Sequence, residues 1–427
     1  MEPSMIRIEP FTAWIYQGAP EHIAHCLAPP YDLIDARLYH QLVAQCPNNI
    51  VRIDLPMMDA TTSGDPDYVR ARQQLRAWIR QGVLRSTGGP AIYWHRHRFR
   101  TPQSDRMERN GLIVRVRVEL GTPKEILPHE QIKPEPLRDR ERLMAITGLQ
   151  ASPVMLLTDA HWDSIDQVRS LLDHQPPLLN IHTDGEQHTI WAIRDSTVMH
   201  TLQDVLRDHT VLIADGHHRY AAARRIARRR ADIPCCQTIL AFITTIQWPG
   251  TLQFGYHRLV TFHAPVDRTA MMRHLEAYFL LEDTFDLSGP DALARRMGED
   301  LRDHRILTIT PDPLRVYRWR IRPNASVPAD VAAQPTVRYV EETFFRRILE
   351  NAFGLSAEQY RVAYTPWPHE IVDALTRHRA HLAIAVPPIP VADLFAMARQ
   401  GKRVPPKSTY FYPKLPAGLL MDIHLHD

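Results

Sequence analysis

Apolar and polar residues alternate along several short segments in the first 160 residues of the chain. Such alternation with a period of two is typical of strands with one buried face. The strands predicted in this way are residues 6–11, 49–55, 91–99, 111–120 and 154–158. Between them, residues 68–79 carry Leu75, Trp78 and Ile79 at helical spacing before Gly82, which predicts a helix. Helices interspersed with strands predict an α/β or α+β fold with mixed sheets.

The pattern is sharpest after residue 205. Residues 211–214 are a short apolar run that predicts a buried strand, Asp215-Gly216 predicts a turn, and residues 220–230 contain strong helix formers. Further strands are predicted at residues 239–245 and 382–386, and further helices at residues 343–353 and 391–400. The centre of the chain is therefore expected to contain a strand–turn–helix unit.

The length of the chain predicts more than one packed unit. A chain of 427 residues with 44% hydrophobic content is too long for one ordinary core. Proline-containing stretches at residues 173–180 and 321–335 are candidate connections. We expect an N-terminal α/β unit at residues 1–175, a central unit at residues 176–325 and a C-terminal α+β unit at residues 326–427.

Composition excludes some functional classes. The longest apolar runs fall short of the roughly 18 to 20 residues that cross a bilayer, and the N-terminus lacks a secretion signal pattern, so a cytoplasmic protein is expected. The net charge of +3 is only mildly basic, which does not favour nucleic acid as a partner. The sequence leaves open whether the protein forms a homo-oligomer.

Cysteine and lysine usage add two expectations. The four cysteines contain no CxxC pair, and Cys235 and Cys236 are adjacent, so all four are expected to be free thiols. The 51 basic residues include only five lysines. Lysine and arginine are not interchangeable at sites that need a compact charge, so a chain that mostly uses arginine is expected to keep lysine at such sites. We therefore expect Lys133 and Lys407 to have functional roles.

Residues Asp215 to Arg219 have the composition of an anion site. Gly216 allows a ligand to approach the backbone, and the first N–H groups of the following helix lack intrahelical partners and lie at the positive end of its dipole. Arg219, His217 and His218 can donate to phosphate oxygens, and the Asp215 carboxylate can hold Mg²⁺. The alternative is an ordinary helix cap with half-buried histidines.

A second constellation surrounds a proline-flanked loop. Glu130 can accept a hydroxyl proton, with His129 beside it, while Lys133 and Arg140 can position a phosphoryl group. The alternative is a solvated loop with ordinary ion pairs.

Three other clusters are less specific. Lys407 and Ser408 can bind phosphate, or they form a turn before a buried aromatic strand. His257 and Arg258 can reach a ligand. His95 and His97 share one strand face, but no third metal ligand is identifiable from the sequence, so a solvated strand is expected. An arginine run at residues 224–230 is either a solvated helix face or a nucleic-acid contact.

These blocks together resemble the domain-of-unknown-function family 1015, and the resemblance spans nearly the whole chain. The blocks are Ala28-Pro29-Pro30-Tyr31-Asp32, Pro128-His129-Glu130, Asp139-Arg140, Ala214-Asp215-Gly216-His217-His218-Arg219-Tyr220, His257-Arg258 and Lys407-Ser408-Thr409-Tyr410-Phe411-Tyr412-Pro413-Lys414. One departure is Gly255-Tyr256, where the family usually has Pro-Thr.

The Asp-Gly-His-His-Arg block also resembles the ParB/sulfiredoxin-like nucleotide site of free serine kinases. This resemblance implies that Asp215 to Arg219 bind the phosphates of ATP or ADP together with Mg²⁺, and that Glu130 is the base. The expected catalytic residues are Glu130, His129, Asp215 and His217. The expected function is nucleotide-dependent phosphoryl transfer to a small hydroxylated metabolite such as L-serine. The alternatives are a ParB-like nucleotide module that acts on nucleic acid, and a phosphatase.

Overall fold

The computed structural model describes most of the chain. The described residues are 6–56, 67–101, 105–122, 124–183, 185–263, 267, 273, 275–276, 279–300, 305–311, 313–322, 355–356 and 358–424. They include the glycine turn at Asp215 and every candidate site residue named above.

The chain divides into two compact units. Unit 1 contains residues 1–128, 132–252 and 413–427, and unit 2 contains residues 129–131 and 253–412. Of the boundaries expected from the sequence, residue 175 lies within unit 1 and residue 325 lies outside the described residues. The division into three parts stays a prediction.

Helices are distributed along the whole described chain. They are α1 (Pro20–Cys26), α2 (Ala36–Gln45), α3 (Val51–Asp54), α4 (Tyr68–Arg80), α5 (Pro134–Thr147), α6 (Asp163–Leu172), α7 (Ser196–Arg207), α8 (His217–Arg229), α9 (Pro290–Asp300), α10 (Pro368–Thr376) and α11 (Val391–Arg399). Short 3₁₀ turns lie at Tyr31–Leu33 and Pro234–Gln237. Asp35, Asp67 and Asp195 each cap the following helix through a carboxylate, which satisfies a backbone N–H of the first turn.

The strands are numbered in chain order. They are β1 (Ile8–Glu9), β2 (Trp14–Tyr16), β3 (Leu84–Ser86), β4 (Ile92–Arg100), β5 (Arg106–Arg117), β6 (Ile126–Leu127), β7 (Leu149–Gln150), β8 (Val154–Thr158), β9 (Leu179–Thr183), β10 (Glu186–Ile193), β11 (Val211–Asp215), β12 (Thr238–Thr245), β13 (Leu252–Phe254), β14 (His257–Phe262), β15 (Phe279–Asp286), β16 (Ile306–Thr310), β17 (Arg315–Ile321), β18 (Tyr360–Thr365), β19 (Leu382–Ala385), β20 (Tyr410–Tyr412) and β21 (Asp422–Ile423).

A nine-stranded mixed sheet forms the centre of unit 1. Its order is β6-β11-β8-β12-β5-β4-β10-β9, with β1 paired to β5. Alternate residues of each strand point to opposite faces, so Trp94, Val114 and Ile243 share one face and belong to the main apolar core. Leu202 of α7 and Ala223 of α8 belong to the same core. One face of the sheet is therefore covered by helices.

Unit 2 contains a six-stranded sheet of order β15-β17-β16-β19-β14-β18. Among the described residues, all strand pairings in this sheet are antiparallel, as in the register Arg258↔Tyr364. Its apolar core includes Leu307 and Ala383 from strands and Ile371 from α10. Unit 2 thus has its own sheet and its own core.

The predicted mixed α/β class is confirmed, and so is the strand–turn–helix at residues 211–230. Residues 49–55 were expected to form a strand, and this prediction is wrong, because Val51–Asp54 is a helical turn that Asn49 fixes through its side-chain amide. The helix expected at residues 343–353 lies outside the described residues, as does most of the connection expected at 321–335. Among the described residues, none of the helices has both the length and the apolar character needed to cross a membrane.

The expectation of four free thiols is wrong for two of them. Cys26 and Cys46 form a disulfide, with Cα atoms 5.4 Å apart, whereas Cys235 and Cys236 are free. The two bonded cysteines end α1 and follow α2, so the packing of these two helices brings them together. The sequence spacing of 20 residues gives no motif that could have indicated the pair.

Candidate phosphate site

The site expected at the centre of the chain lies where β11 ends and α8 begins. Gly216 separates them with φ +90° and ψ 27°, a left-handed conformation that glycine adopts without steric cost. Among the described residues, no side chain caps the N-terminus of α8. A helix start without a side-chain cap presents its first N–H groups and the positive end of its dipole to an anion.

Asp215 lies between two cations. Its Oδ2 accepts from Arg219 Nη2 at 2.7 Å, and its Oδ1 is 2.7 Å from Lys414 Nζ. The same ammonium is 3.2 Å from Asp32 Oδ2. Two carboxylates and two cations therefore lie together beside the turn, and their formal charges cancel.

Arg219 is held by backbone and side-chain oxygens of another segment. Its Nη1 donates to the Ser152 carbonyl at 2.8 Å, to the Ser152 hydroxyl at 2.9 Å and to the Pro153 carbonyl at 2.7 Å. With Nη2 on Asp215, most of its donors are engaged inside the protein. The guanidinium therefore positions the Asp215 carboxylate, a role that the sequence did not predict.

Tyr31 connects this group to a buried arginine. The Arg140 guanidinium lies over the Tyr31 ring, 4.1 Å from its centroid, and pairs with Asp54 and Asp139 at 3.0 and 2.5 Å. Burial raises the pKa of Tyr31 to about 12, against the lowering effect of the Arg140 charge. Arg140 was expected to bind substrate, but it is only 1% exposed, and its contacts within the protein fix the segment that carries Asp32.

The two histidines of the block lie in different surroundings. His217 is buried at the start of α8, whereas His218 is half-buried. Nε2 of His218 accepts the backbone N–H of Lys133 at 3.0 Å, and Lys133 is the residue that precedes α5. His218 thus ties the start of α5 to the start of α8, while the Lys133 side chain is exposed.

His129 and Glu130 belong to unit 2. His129 is 1% exposed, and its Nε2 is 2.9 Å from the Thr409 hydroxyl. The backbone on either side of Glu130 is fixed, because Val404 N–H donates to the His129 carbonyl at 2.7 Å and Gln131 N–H donates to the Val404 carbonyl at 2.9 Å. The Glu130 side chain is half-buried. His129 is therefore a buried anchor, and Glu130 has partial access to solvent.

Other candidates from the sequence are also in unit 2. Lys407 has φ +62°, and its ammonium lies 5.2 Å from the centroid of the Tyr256 ring. The Ser408 hydroxyl donates to the Pro405 carbonyl at 2.8 Å, which is the bond of a turn before β20. His257 is 3% exposed and accepts the Val386 N–H through Nδ1 at 3.2 Å. Arg258 donates to the Tyr256 carbonyl at 2.6 Å.

Residues 8–358 match a family model described as protein of unknown function (DUF1015). The chain belongs to this family. No curated protein matches it.

Solved structures similar to this DUF1015 protein have low sequence identity and low TM-scores. A conserved hypothetical protein from Pyrococcus furiosus has 13% identity and a TM-score of 0.35, and covers 71% of this chain and 93% of its own. A free serine kinase in complex with AMP has 11% identity and a TM-score of 0.36, and the match covers 70% of this chain and 86% of the kinase chain. SbnI with C-terminal truncation from Staphylococcus aureus has 10% identity and a TM-score of 0.35, and the match covers 68% of this chain and 81% of SbnI. Similarities at this level assign no function.

In this DUF1015 protein, the structure brings together a charged group that the sequence only partly indicated. Asp215, Gly216 and Arg219 were expected, whereas Asp32 and Lys414 were not named as site residues. Both stand in blocks that carry the family resemblance, and Lys414 is one of only five lysines, so the signals were present in the sequence. The family match ends at residue 358, before Lys414.

Proposed function

We propose that this protein transfers a phosphoryl group between a nucleotide and a small hydroxylated metabolite, with the nucleotide phosphates at the N-terminus of α8. The observation that carries the proposal is the left-handed Gly216 at an uncapped helix start beside the Asp215–Lys414 pair. Phosphoryl transfer depends mainly on positioning and on stabilisation of negative charge. A helix dipole and a held ammonium provide both.

Lys414 has the surroundings of a phosphate-binding lysine. Only 8% of its side chain is exposed, and it is held by Asp32 and Asp215 rather than moving freely in solvent. A compact ammonium placed in advance costs little reorganisation when an anion arrives. We therefore assign to Lys414 the phosphate contact that the sequence led us to expect from Lys133 and Lys407.

Mg²⁺ fits the carboxylates of this group. Carboxylate oxygens are the ligands that Mg²⁺ prefers, and Asp215 and Asp32 present such oxygens 2.7 and 3.2 Å from the Lys414 ammonium. Bound Mg²⁺ would neutralise the charge of the nucleotide phosphates. Arg219, held by the Ser152 and Pro153 oxygens, would keep the Asp215 carboxylate in position.

Glu130 remains our proposed general base. A hydroxyl that attacks phosphorus must lose its proton, and a half-buried carboxylate on a fixed backbone can accept it. His129, His257 and Ser408 form hydrogen bonds to other residues of unit 2, and we assign them positioning roles there. L-serine as the acceptor follows from the resemblance of the Asp215–Arg219 block.

The decisive experiment measures binding and transfer separately. Thermal shifts with ATP, ADP and inorganic phosphate, with and without Mg²⁺, test the binding site. Phosphorus NMR with ATP or ADP and a panel of amino acids and sugars tests transfer, and phosphate release without an acceptor would indicate a phosphatase instead. The proposal fails if no nucleotide raises the melting temperature.

Two variants separate the roles within the proposal. Asp215→Asn should lower activity and raise the Mg²⁺ concentration required, because an amide is a weaker ligand for a hard cation. Glu130→Gln should lower kcat by about 10² to 10⁴ while nucleotide affinity persists. The matched control is Asp208→Asn, at an exposed aspartate that follows α7, and it should behave like the wild type. Full activity in excess chelator would exclude the metal role.

A further inference from the structure

Two neighbouring strands of unit 1 place four chemically active side chains on one face of the sheet. β4 contributes His95 and His97, and β10 contributes Glu186 and His188. The register pairs His97 with His188 and His95 with Ile190, so all four share the face opposite the one that carries Trp94. The sequence showed only the first two, because the second pair is about 90 residues further along the chain.

The expected solvation of this strand is wrong. His95, His97 and His188 are all 0% exposed. Nε2 of His97 lies 2.8 Å from Glu186 Oε2, and Nε2 of His188 lies 3.6 Å from the same oxygen. Two imidazole nitrogens therefore converge on one carboxylate oxygen, yet only one of them is within hydrogen-bond distance.

Hydrogen bonds within the cluster do not satisfy all of its buried polar atoms. Among the described residues, Nε2 of His188 has no hydrogen-bond partner although it is fully buried. An unsatisfied buried polar atom is destabilising, because it has lost its hydrogen bonds to water and gained none within the protein. One cation between the three side chains would satisfy both nitrogens and the oxygen at once.

We infer that His97, Glu186 and His188 bind a divalent first-row metal ion of the Zn²⁺ type. The ligand atoms of these three residues all lie within 4.8 Å of one another. Bonds of about 2.0 to 2.2 Å at tetrahedral angles separate two ligand atoms by roughly 3.4 Å. The observed separations of 2.8 and 3.6 Å lie on either side of that value. Two histidines and one carboxylate are also a ligand set that leaves a coordination position open.

A neighbouring histidine orients one of the three ligands. Nδ1 of His188 is 3.1 Å from His95 Nε2, so His95 can accept the Nδ1 proton and leave the other nitrogen of His188 to the metal. Arg109 Nη2 approaches the far nitrogen of His97, Nδ1, at 3.4 Å. That contact is too long to fix the tautomer of His97. Arg109 donates a shorter bond of 2.7 Å to the Pro413 carbonyl.

An ion can reach the three ligands from solvent. The Glu186 side chain is 24% exposed, whereas His97 and His188 are fully buried, so the route to the site passes Glu186.

Cobalt titration of the untagged, metal-depleted full-length protein tests the inference. Wild-type protein should bind one equivalent of Co²⁺ with visible d–d absorption, and Zn²⁺ should displace it. Glu186→Gln and His188→Gln should each weaken Co²⁺ binding by about 100-fold or more, which exceeds the usual loss of an outer-shell partner. The matched control is His182→Gln, an exposed histidine on the adjacent β9, and its affinity should equal that of the wild type.

The cobalt titration can overturn the inference even if one of the two variants does not fold. Glu186→Gln keeps the volume of a half-buried side chain, so this variant stays informative even if His188→Gln does not fold. Absence of d–d absorption from the wild-type protein would overturn the inference. Equal Co²⁺ affinity of Glu186→Gln and His182→Gln, in variants with wild-type circular dichroism, would overturn it as well.

Discussion

At the scale of single residues, Gly216 has two properties that an alanine cannot reproduce. Its φ of +90° costs about 1 to 2 kcal/mol for a residue with a Cβ atom. A Cβ at this position would also lie 3.0 Å from Arg219 Nη2, so the guanidinium that holds Asp215 would have to shift by a few tenths of an ångström. Alanine at position 216 would therefore be unfavourable for two reasons, the strained backbone and the displaced Arg219 guanidinium.

We predict that Gly216→Ala lowers the free energy of unfolding by more than the strain alone and weakens phosphate binding. The matched control is Gly88→Ala, because Gly88 has φ +83° and a Cβ there would meet nothing within 4 Å. Urea unfolding and calorimetry with ADP would compare the two variants. Equal losses of stability and unchanged ADP affinity in both would contradict the role of Arg219 in holding Asp215.

His257 makes the stability of unit 2 depend on pH. Burial, and then the charge of Arg258, lowers its pKa to about 3, from an ordinary value of 6.5. Below pH 6.5 the unfolded chain takes up a proton that the folded chain does not accept until about pH 3. The contribution of neutral His257 is therefore complete above pH 6.5 and is lost as the pH falls towards 3.

We predict that His257→Gln flattens the pH dependence of stability between pH 6.5 and 5. The wild-type slope should exceed that of the variant by up to about 1.4 kcal/mol per pH unit. His369→Gln is the control, since His369 is exposed at the start of α10. Urea unfolding at half-unit pH intervals measures the slope, and identical slopes for His257→Gln and wild type would refute the assignment.

At the scale of elements, the arginines of α8 bind the protein itself. Arg224 donates to the carbonyls of Glu119 and Gly121 at 2.6 and 2.5 Å, and Arg228 donates to the carbonyl of Leu120 at 2.7 Å. Arg225 and Arg229 pair with Glu141 on α5 at 3.1 and 2.5 Å. These contacts hold α8 against α5 and against the turn that precedes β6. They favour a structural role over a nucleic-acid surface.

We predict that Arg224→Gln lowers the free energy of unfolding by about 1 to 2 kcal/mol, the scale of lost hydrogen bonds from a charged donor. Arg230→Gln, at an exposed position directly after α8, should cost much less. Fluorescence anisotropy with duplex DNA should show no binding by either variant or by the wild type at physiological salt. Tight wild-type binding that falls steeply with salt would revive the nucleic-acid alternative.

At the scale of the whole molecule, the last described residues complete unit 1. Asp422 is fully buried and accepts from Arg115 Nε and Nη2 at 2.8 and 2.6 Å. Burial alone would raise the pKa of Asp422, but hydrogen bonds from His424 and Arg115 lower it. Gly148, at the end of α5, gives room for this segment, since a Cβ there would lie 1.9 Å from the His424 carbonyl oxygen.

We predict that Asp422→Asn destabilises the protein by about 1 to 3 kcal/mol, because it removes the charge of a buried carboxylate that pairs with the half-buried Arg115. Lys414 belongs to the same terminal segment, so phosphate affinity should fall as the segment loosens. The comparison variant is Asp393→Asn, at a half-buried aspartate of α11 in unit 2. A loss no larger than that of Asp393→Asn, measured by urea unfolding, would show that the segment is not needed for the stability of unit 1.

The sequence by itself determined the local features of this protein. Short-range rules of alternation, helix spacing and turn chemistry predicted β8, β11 and the glycine start of α8, because each depends on residues adjacent in the chain. They failed at Val51–Asp54, where the Asn49 amide bonds to residues more than 20 positions away.

Only the tertiary structure decided which distant side chains meet. Lys414 reaches Asp32 across 382 residues of sequence, His188 lies against His97 through the register of two strands, and Cys26 pairs with Cys46 through the packing of two helices. These contacts follow from strand order, register and helix packing, which close long loops only when the entire core forms. A linear pattern does not contain that information, so the sequence indicated where α8 presents its N-terminus, and the fold decided which charges surround it.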